Sequence, residues 1–153
     1  MLDIGANVGD FVECCLAYQP WAIIHSFEPL PDCYQTLHHK FLSYARVFIE
    51  NKAVGCKESE LSINVSQFSE ASSFLKQTKV LKDGLYGIDF SIKQKLTVPV
   101  IKLSDYIKEN GLESIRLLKI DTQGFELEVL KGAKESLNSM VFIYLEGAFK
   151  PLL

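Results

Sequence analysis

Three short segments of the 153-residue chain carry residue types able to hold a polar ligand. The first is Asp3-Ile4-Gly5-Ala6-Asn7-Val8-Gly9-Asp10, a glycine-bearing turn between a short apolar run and a helix-forming one. Glycine reaches positive φ without steric cost and lets backbone approach a ligand, while the helix start offers unpaired N–H groups. The second is Glu28, nineteen positions after Gly9 and at the end of an apolar stretch. An acid about 20 residues beyond such a turn, at the tip of the neighbouring strand, can accept hydrogen bonds from both hydroxyls of a ribose. The third is Asp121-Thr122-Gln123-Gly124-Phe125-Glu126, again between an apolar strand and a helix, so its carboxylates face the same crevice as Gly5 and Glu28. Each also has a plainer reading. The glycine segment can be a simple tight turn, Glu28 a solvated strand-end acid, and Glu126 a first-turn acid favoured by the helix dipole.

The chemistry these segments allow is narrow. The spacing G-x-N-x-G departs from the G-x-G-x-x-G of dinucleotide binders, which favours a methyl donor over NAD. Asp121 can orient the amino group of such a donor or the hydroxyl of an acceptor, and Gly124 permits close approach. Asp121, Glu126 and His25 are the side chains able to take up a hydroxyl proton. His25 lies inside an apolar strand, where a core histidine is the commoner outcome, and His38 and His39 read as solvated. Cys14, Cys15, Cys33 and Cys56 lack C-x-x-C or zinc-ligand spacing, so no metal site is expected and the thiols read as free.

Positioning these segments requires alternating strands and helices. Residues 2–4 read as a strand, 11–18 as a helix, and 21–27 as a strand buried on both faces. Pro31 and Asp32 open a helix to about Tyr44, with Tyr34, Leu37, Phe41 and Leu42 on one face. Residues 47–49 form a third strand, and the alternation over 61–65 predicts a half-exposed, antiparallel one. The stretch 66–95 has no sustained period and suits a substrate-facing loop, where Phe68, Phe74, Tyr86 and Phe90 line a pocket or anchor the loop. Pro99 suggests that 96–101 is an edge strand, and Ser104 is placed to cap a helix that Gly111 ends. A strand over 116–121, a helix over 125–137 with Leu127, Leu130 and Ala133 on one face, and a strand over 140–145 complete the pattern. Trp21, Phe27, Phe48 and Phe142 fall in strands and are expected in the core. The fold class is α/β, a doubly wound, mostly parallel sheet with helices on both faces.

Composition bounds the partners. Hydrophobic residues make up 48% and charged residues 23% of the chain, as in an ordinary globular domain. The net charge of -3, without a Lys/Arg block, excludes a phosphate-neutralising surface for nucleic acid. No apolar run approaches the ~20 residues needed to span a bilayer, and the start lacks a secretory pattern. The expected setting is cytoplasmic, away from membranes. Residues 1–153 read as a single domain whose ends look cut, because the first strand is short and the chain stops soon after an apolar strand.

The order DIGANVG, FEP (27–29), NKAVG (51–55), SSFL (72–75), VPVIKLSDYI (98–107) and LLKIDTQGFELEVLKGA (117–133) resembles the FkbM family of methyltransferases across essentially the whole chain. The resemblance implies a Rossmann-like fold, S-adenosyl-L-methionine as cofactor, and O-methylation of a small-molecule hydroxyl acceptor, a sugar, polyketide or related compound. It implies donor binding by Asp3, Gly5, Asn7, Gly9, Glu28, Asn51, Ala53 and Asp121, with Asn51 and Ala53 near adenine. Asp121 and Glu126 match the family's acidic pair and are the candidate catalytic residues. Gln123 stands where many members carry Glu, and related domains continue past Leu153 with a helix and further strands. The alternatives on the same fold are a non-catalytic scaffold and a nucleotide-dependent oxidoreductase.

Overall fold

The computed structural model describes residues 1–66 and 92–146. Of the expected substrate-facing loop over 66–95, residues 67–91, with Phe68, Phe74, Tyr86 and Phe90, lie outside the described residues, whereas Ser66 and residues 92–95 belong to strands. The described elements are β1 (Leu2–Ile4), α1 (Asp10–Tyr18), β2 (Ile24–Phe27), α2 (Pro31–Phe41), β3 (Val47–Glu50), β4 (Ala53–Gly55), β5 (Ser59–Ser66), β6 (Ile92–Lys102), α3 (Leu103–Glu109), β7 (Ile115–Ile120), α4 (Glu126–Ala133) and β8 (Met140–Leu145). A 3-10 turn over Lys134–Ser139 links α4 to β8.

The main sheet has the order β3-β2-β1-β7-β8, and every neighbouring pair is parallel. The chain winds outward from β1 through β2 to β3, then crosses to β7 and β8 on the other side. The strand order therefore reverses beside β1, where ligands bind in open α/β sheets. α1 and α2 bury Val12, Leu37 and Phe41 against Ile24 on one face. On the other face α3 and α4 bury Tyr106, Ile107, Val129 and Ala133 against Leu2, Phe27, Leu118 and Ile120. The doubly wound α/β class read from the sequence is the architecture observed.

A second sheet of order β4-β6-β5 lies beside the first. β5 pairs antiparallel with β6, as its alternation predicts. β6 is the central strand of the three, which corrects the edge assignment, yet β4 pairs only with Val100 to Lys102. Pro99 thus stands just before the second ladder begins, where its missing N–H is tolerated. α4 approaches this sheet so closely that a Cβ on Gly132 would lie 1.9 Å from the Gly55 carbonyl oxygen. The contact joins the NKAVG and KGA segments and allows no side chain at position 132.

Other local expectations need correction. Ser104 does not cap α3; Lys102 occupies the N-cap, and the Ser104 hydroxyl is buried at the second helical position. Gly111, at φ 62°, does end the helix, with the Leu112 and Gly111 amides donating to the carbonyls of Ile107 and Lys108. α2 stops at Phe41, leaving Leu42 exposed. On α4 the buried face is Val129 and Ala133, and Leu127 points outward. Of the four aromatics assigned to the core only Phe27 is buried. Trp21 precedes β2, Phe48 sits on edge strand β3 and Phe142 on edge strand β8, so all three are exposed.

Candidate functional site

Register brings the three sequence segments level. Ile4 pairs with Phe27 and with Ile120, so Gly5, Glu28 and Asp121 are the first residues past three adjacent strand ends. The ladders continue into the turns: the Gly5 and Ala6 amides donate to the Phe27 carbonyl, and the Asp121 amide donates to that of Ile4. A pocket opens over these ends, walled by Gly5, Asn7, Glu28, Asp121, Thr122 and Gln123 on its polar side. Leu30, Lys52, Ala53, Val54 and Ile63 extend it toward the second sheet, giving an apolar flank beside the polar one.

The glycine turn has little room for other residues. Gly5 has φ 79°, and a Cβ there would lie 1.9 Å from the Asp121 carbonyl oxygen. Asn7 also adopts positive φ, which Asn tolerates better than most side chains. Its Oδ1 lies buried at the pocket wall without a hydrogen-bond partner among the described residues. A buried acceptor left unpaired is costly, and a donor group on a ligand would satisfy it.

Glu28 is 5% exposed and anchored at both oxygens. Oε2 accepts the Asn7 amide at 2.8 Å and Oε1 the Leu30 amide at 2.9 Å. Burial pushes its carboxyl above the usual range, while those two amides and, more weakly, Lys119 pull it back and Asp3 adds to the rise. An ionised carboxylate offers about four lone-pair sites, and two amides leave capacity for a pair of hydroxyls. Asn51 steadies the turn beyond it, its Nδ2 donating to the carbonyls of Glu28 at 2.9 Å and Pro29 at 3.2 Å.

At the third strand end the turn 121–124 places Gln123 at φ 53° and Gly124 at φ 107°. Gln123 Nε2 donates to Asp121 Oδ1 at 2.8 Å. Glu126 Oε1 accepts from the Thr122 amide at 3.1 Å, the Thr122 hydroxyl at 3.0 Å and the Gly124 amide at 2.8 Å. Its carboxylate fastens the turn that presents Asp121 and forms no part of the pocket wall.

The structure thus sorts the sequence candidates. Gly5, Asn7, Glu28, Ala53 and Asp121 line the pocket; Asn51 and Glu126 support it from behind. Gly9 lies outside the wall at the N-cap of α1, where a Cβ would meet Leu37 and Phe41 at 2.6 Å. Asp3, too, lies outside the pocket wall. Asp3 is fully buried beneath the glycine turn, facing Lys119 Nζ at 3.2 Å, and burial raises its carboxyl more than Lys119 lowers it. His25 is a core histidine, with Nδ1 2.9 Å from the Tyr106 hydroxyl and the ring stacked on Phe48. Burial holds His25 below its usual range and pushes Tyr106 up to about 12.

Sequence reading passed over Lys119, Lys52, Leu30 and Ile63. The apolar pair carries no chemical signature, whereas Lys119 is visible as the single charge between Leu118 and Ile120. The start of α1 also bears on ligand choice. Asp10 and Glu13 occupy its first turn, with Lys40 committed to both at 3.3 and 2.7 Å. Carboxylates there compete with a bound pyrophosphate for the positive helix end. Among the described residues no group of three or more His, Cys, Asp or Glu is arranged to hold a metal, and no helix is long and apolar enough to cross a membrane.

These features define a doubly wound α/β domain with a ligand pocket at its switch point. Within that class the chain belongs to the methyltransferase FkbM domain family, matching it over residues 3–151. It is 33% identical over 156 residues to the methyltransferase sdnD of Sordaria araneosa, covering 88% of this chain and 60% of that protein. To the 2-O-methyltransferase NoeI of Sinorhizobium fredii it is 28% identical over 152 residues, covering 95% of this chain and 62% of the relative. The chain therefore spans about 60% of the length of these relatives. The crystal structure of the FkbM methyltransferase from Methylobacillus flagellatus superimposes with a TM-score of 0.58 at 17% identity, covering 90% of this chain and 29% of that one, a likeness of fold.

Proposed function

We propose that this chain binds S-adenosyl-L-methionine over the ends of β1, β2 and β7 and serves O-methylation of a hydroxyl on a sugar, polyketide or similar small molecule, in the cytoplasm. The observation that carries the reading is Glu28, a buried carboxylate with both oxygens fixed by backbone amides and acceptor capacity left for two ribose hydroxyls. The unpaired Asn7 Oδ1 suits a ligand ammonium, and Leu30, Ala53 and Ile63 supply an apolar flank for a base. When bound, the cofactor supplies a methyl group on a positively charged sulfur, open to in-line displacement.

The protein's task is then mainly placement. Asp121 is the wall residue able to accept the acceptor hydroxyl's proton as the new oxygen–carbon bond forms, and Gln123 holds one of its oxygens. Glu126 acts through that same turn, at one remove from the reacting atoms. The name of NoeI, a 2-O-methyltransferase, supports oxygen as the acceptor atom. The test is incubation with methyl-labelled S-adenosyl-L-methionine and a panel of hydroxyl compounds. Label transferred to an ether oxygen with equal release of S-adenosylhomocysteine is expected, and donor binding without transfer to any hydroxyl, in the full-length protein, would point to a non-catalytic scaffold.

A further inference from the structure

Resting on the donor-site reading above, we infer that Lys119 is a positioning residue, whose ammonium ties the β1 turn to the β7 turn and sets the Asp121 carboxylate in the pocket wall. Lys119 lies between Leu118 and Ile120 in a central strand, its side chain 8% exposed. Nζ donates to the Gly5 carbonyl at 2.8 Å and lies 3.2 Å from Asp3 Oδ1 and 3.6 Å from Asp121 Oδ2. The Phe11 ring covers it, with the centroid 5.5 Å away.

These oxygens come from two different strand ends, so one cation fixes their separation. The Gly5 carbonyl belongs to the turn that carries Asn7, and Asp121 Oδ2 to the opposite wall. Asp121 is held from both sides, by Lys119 at Oδ2 and by Gln123 at Oδ1. A buried ammonium gives up its hydration, a cost that an apolar side chain of similar length would avoid. Neutralising Asp3 alone does not account for the geometry, because the shortest Lys119 contact is to Gly5.

The test compares Lys119→Met, Asp121→Asn and the two combined, using calorimetric titration with S-adenosylhomocysteine. Lys119→Met is expected to weaken binding about tenfold, the effect of losing one charge-assisted contact. Because part of the Lys119 effect acts through Asp121, the combined variant should lose less affinity than the sum of the two single losses. Asp3→Asn with Lys119→Met removes both buried charges together and carries the test if the single variant does not fold. It too should bind weakly. Wild-type affinity in that charge-balanced variant, or strictly additive losses in the cycle, would reduce Lys119 to a neutraliser of Asp3 and overturn the inference. Wild-type protein that fails to bind S-adenosylhomocysteine at all would instead overturn the donor-site reading.

Discussion

At Glu28, burial in the pocket wall opposes the carboxylate's charge. Its folded pKa lies above the ordinary 4.5, so within that window the folded chain keeps a proton that the unfolded chain has released. The Glu28 contribution to stability therefore falls as pH rises through the window, while affinity for S-adenosylhomocysteine rises as the acceptor ionises. Asp3 shares the stability sign. The difference between wild type and Glu28→Gln, in melting temperature and in titration across this range, isolates Glu28. His25 acts oppositely. Its folded pKa is below 6.5, so the unfolded chain takes up the proton first and stability is lost as pH falls below about 6.5. Urea unfolding at two pH values should show a smaller acid loss in His25→Gln. Gly5, Glu28 and Asp121 were legible in the sequence because each marks the change from an apolar run to a polar turn. The pairing of Lys119 with Asp3 was not, since alternation cannot show that two charges in neighbouring strands face each other beneath a turn.

Among the elements, α4 and β4 meet with no space between their backbones at Gly132 and Gly55. Gly132→Ala should cost about 3 kcal/mol, because the overlap is with a carbonyl oxygen that cannot swing aside. Gly111→Ala offers a contrast: nothing lies within 4 Å, and only its positive φ opposes the change. About 1 kcal/mol is expected there. Denaturant midpoints of the two variants check the ordering, and equal losses would contradict the close approach of α4. Element existence was readable from period and punctuation, yet the roles of Pro99, Ser104 and Leu127 were not. Each was decided by a tertiary fact: where β4 joins β6, which residue turns into α3, and which face of α4 meets the second sheet.

For the molecule as a whole, alternation of strands and helices made the doubly wound class and the switch-point crevice readable in the sequence. Which strands are covered was not, as β8 demonstrates. Val141, Phe142, Ile143, Tyr144 and Leu145 are 44–65% exposed on an edge strand. The most direct test of function is calorimetric titration of the chain with S-adenosylhomocysteine and with NAD, repeated on Glu28→Ala. Saturable binding of S-adenosylhomocysteine, lost in Glu28→Ala and not seen with NAD, is the expected result. Binding of NAD in its place, or S-adenosylhomocysteine affinity indifferent to Glu28, would contradict the assignment of this pocket to the methyl donor.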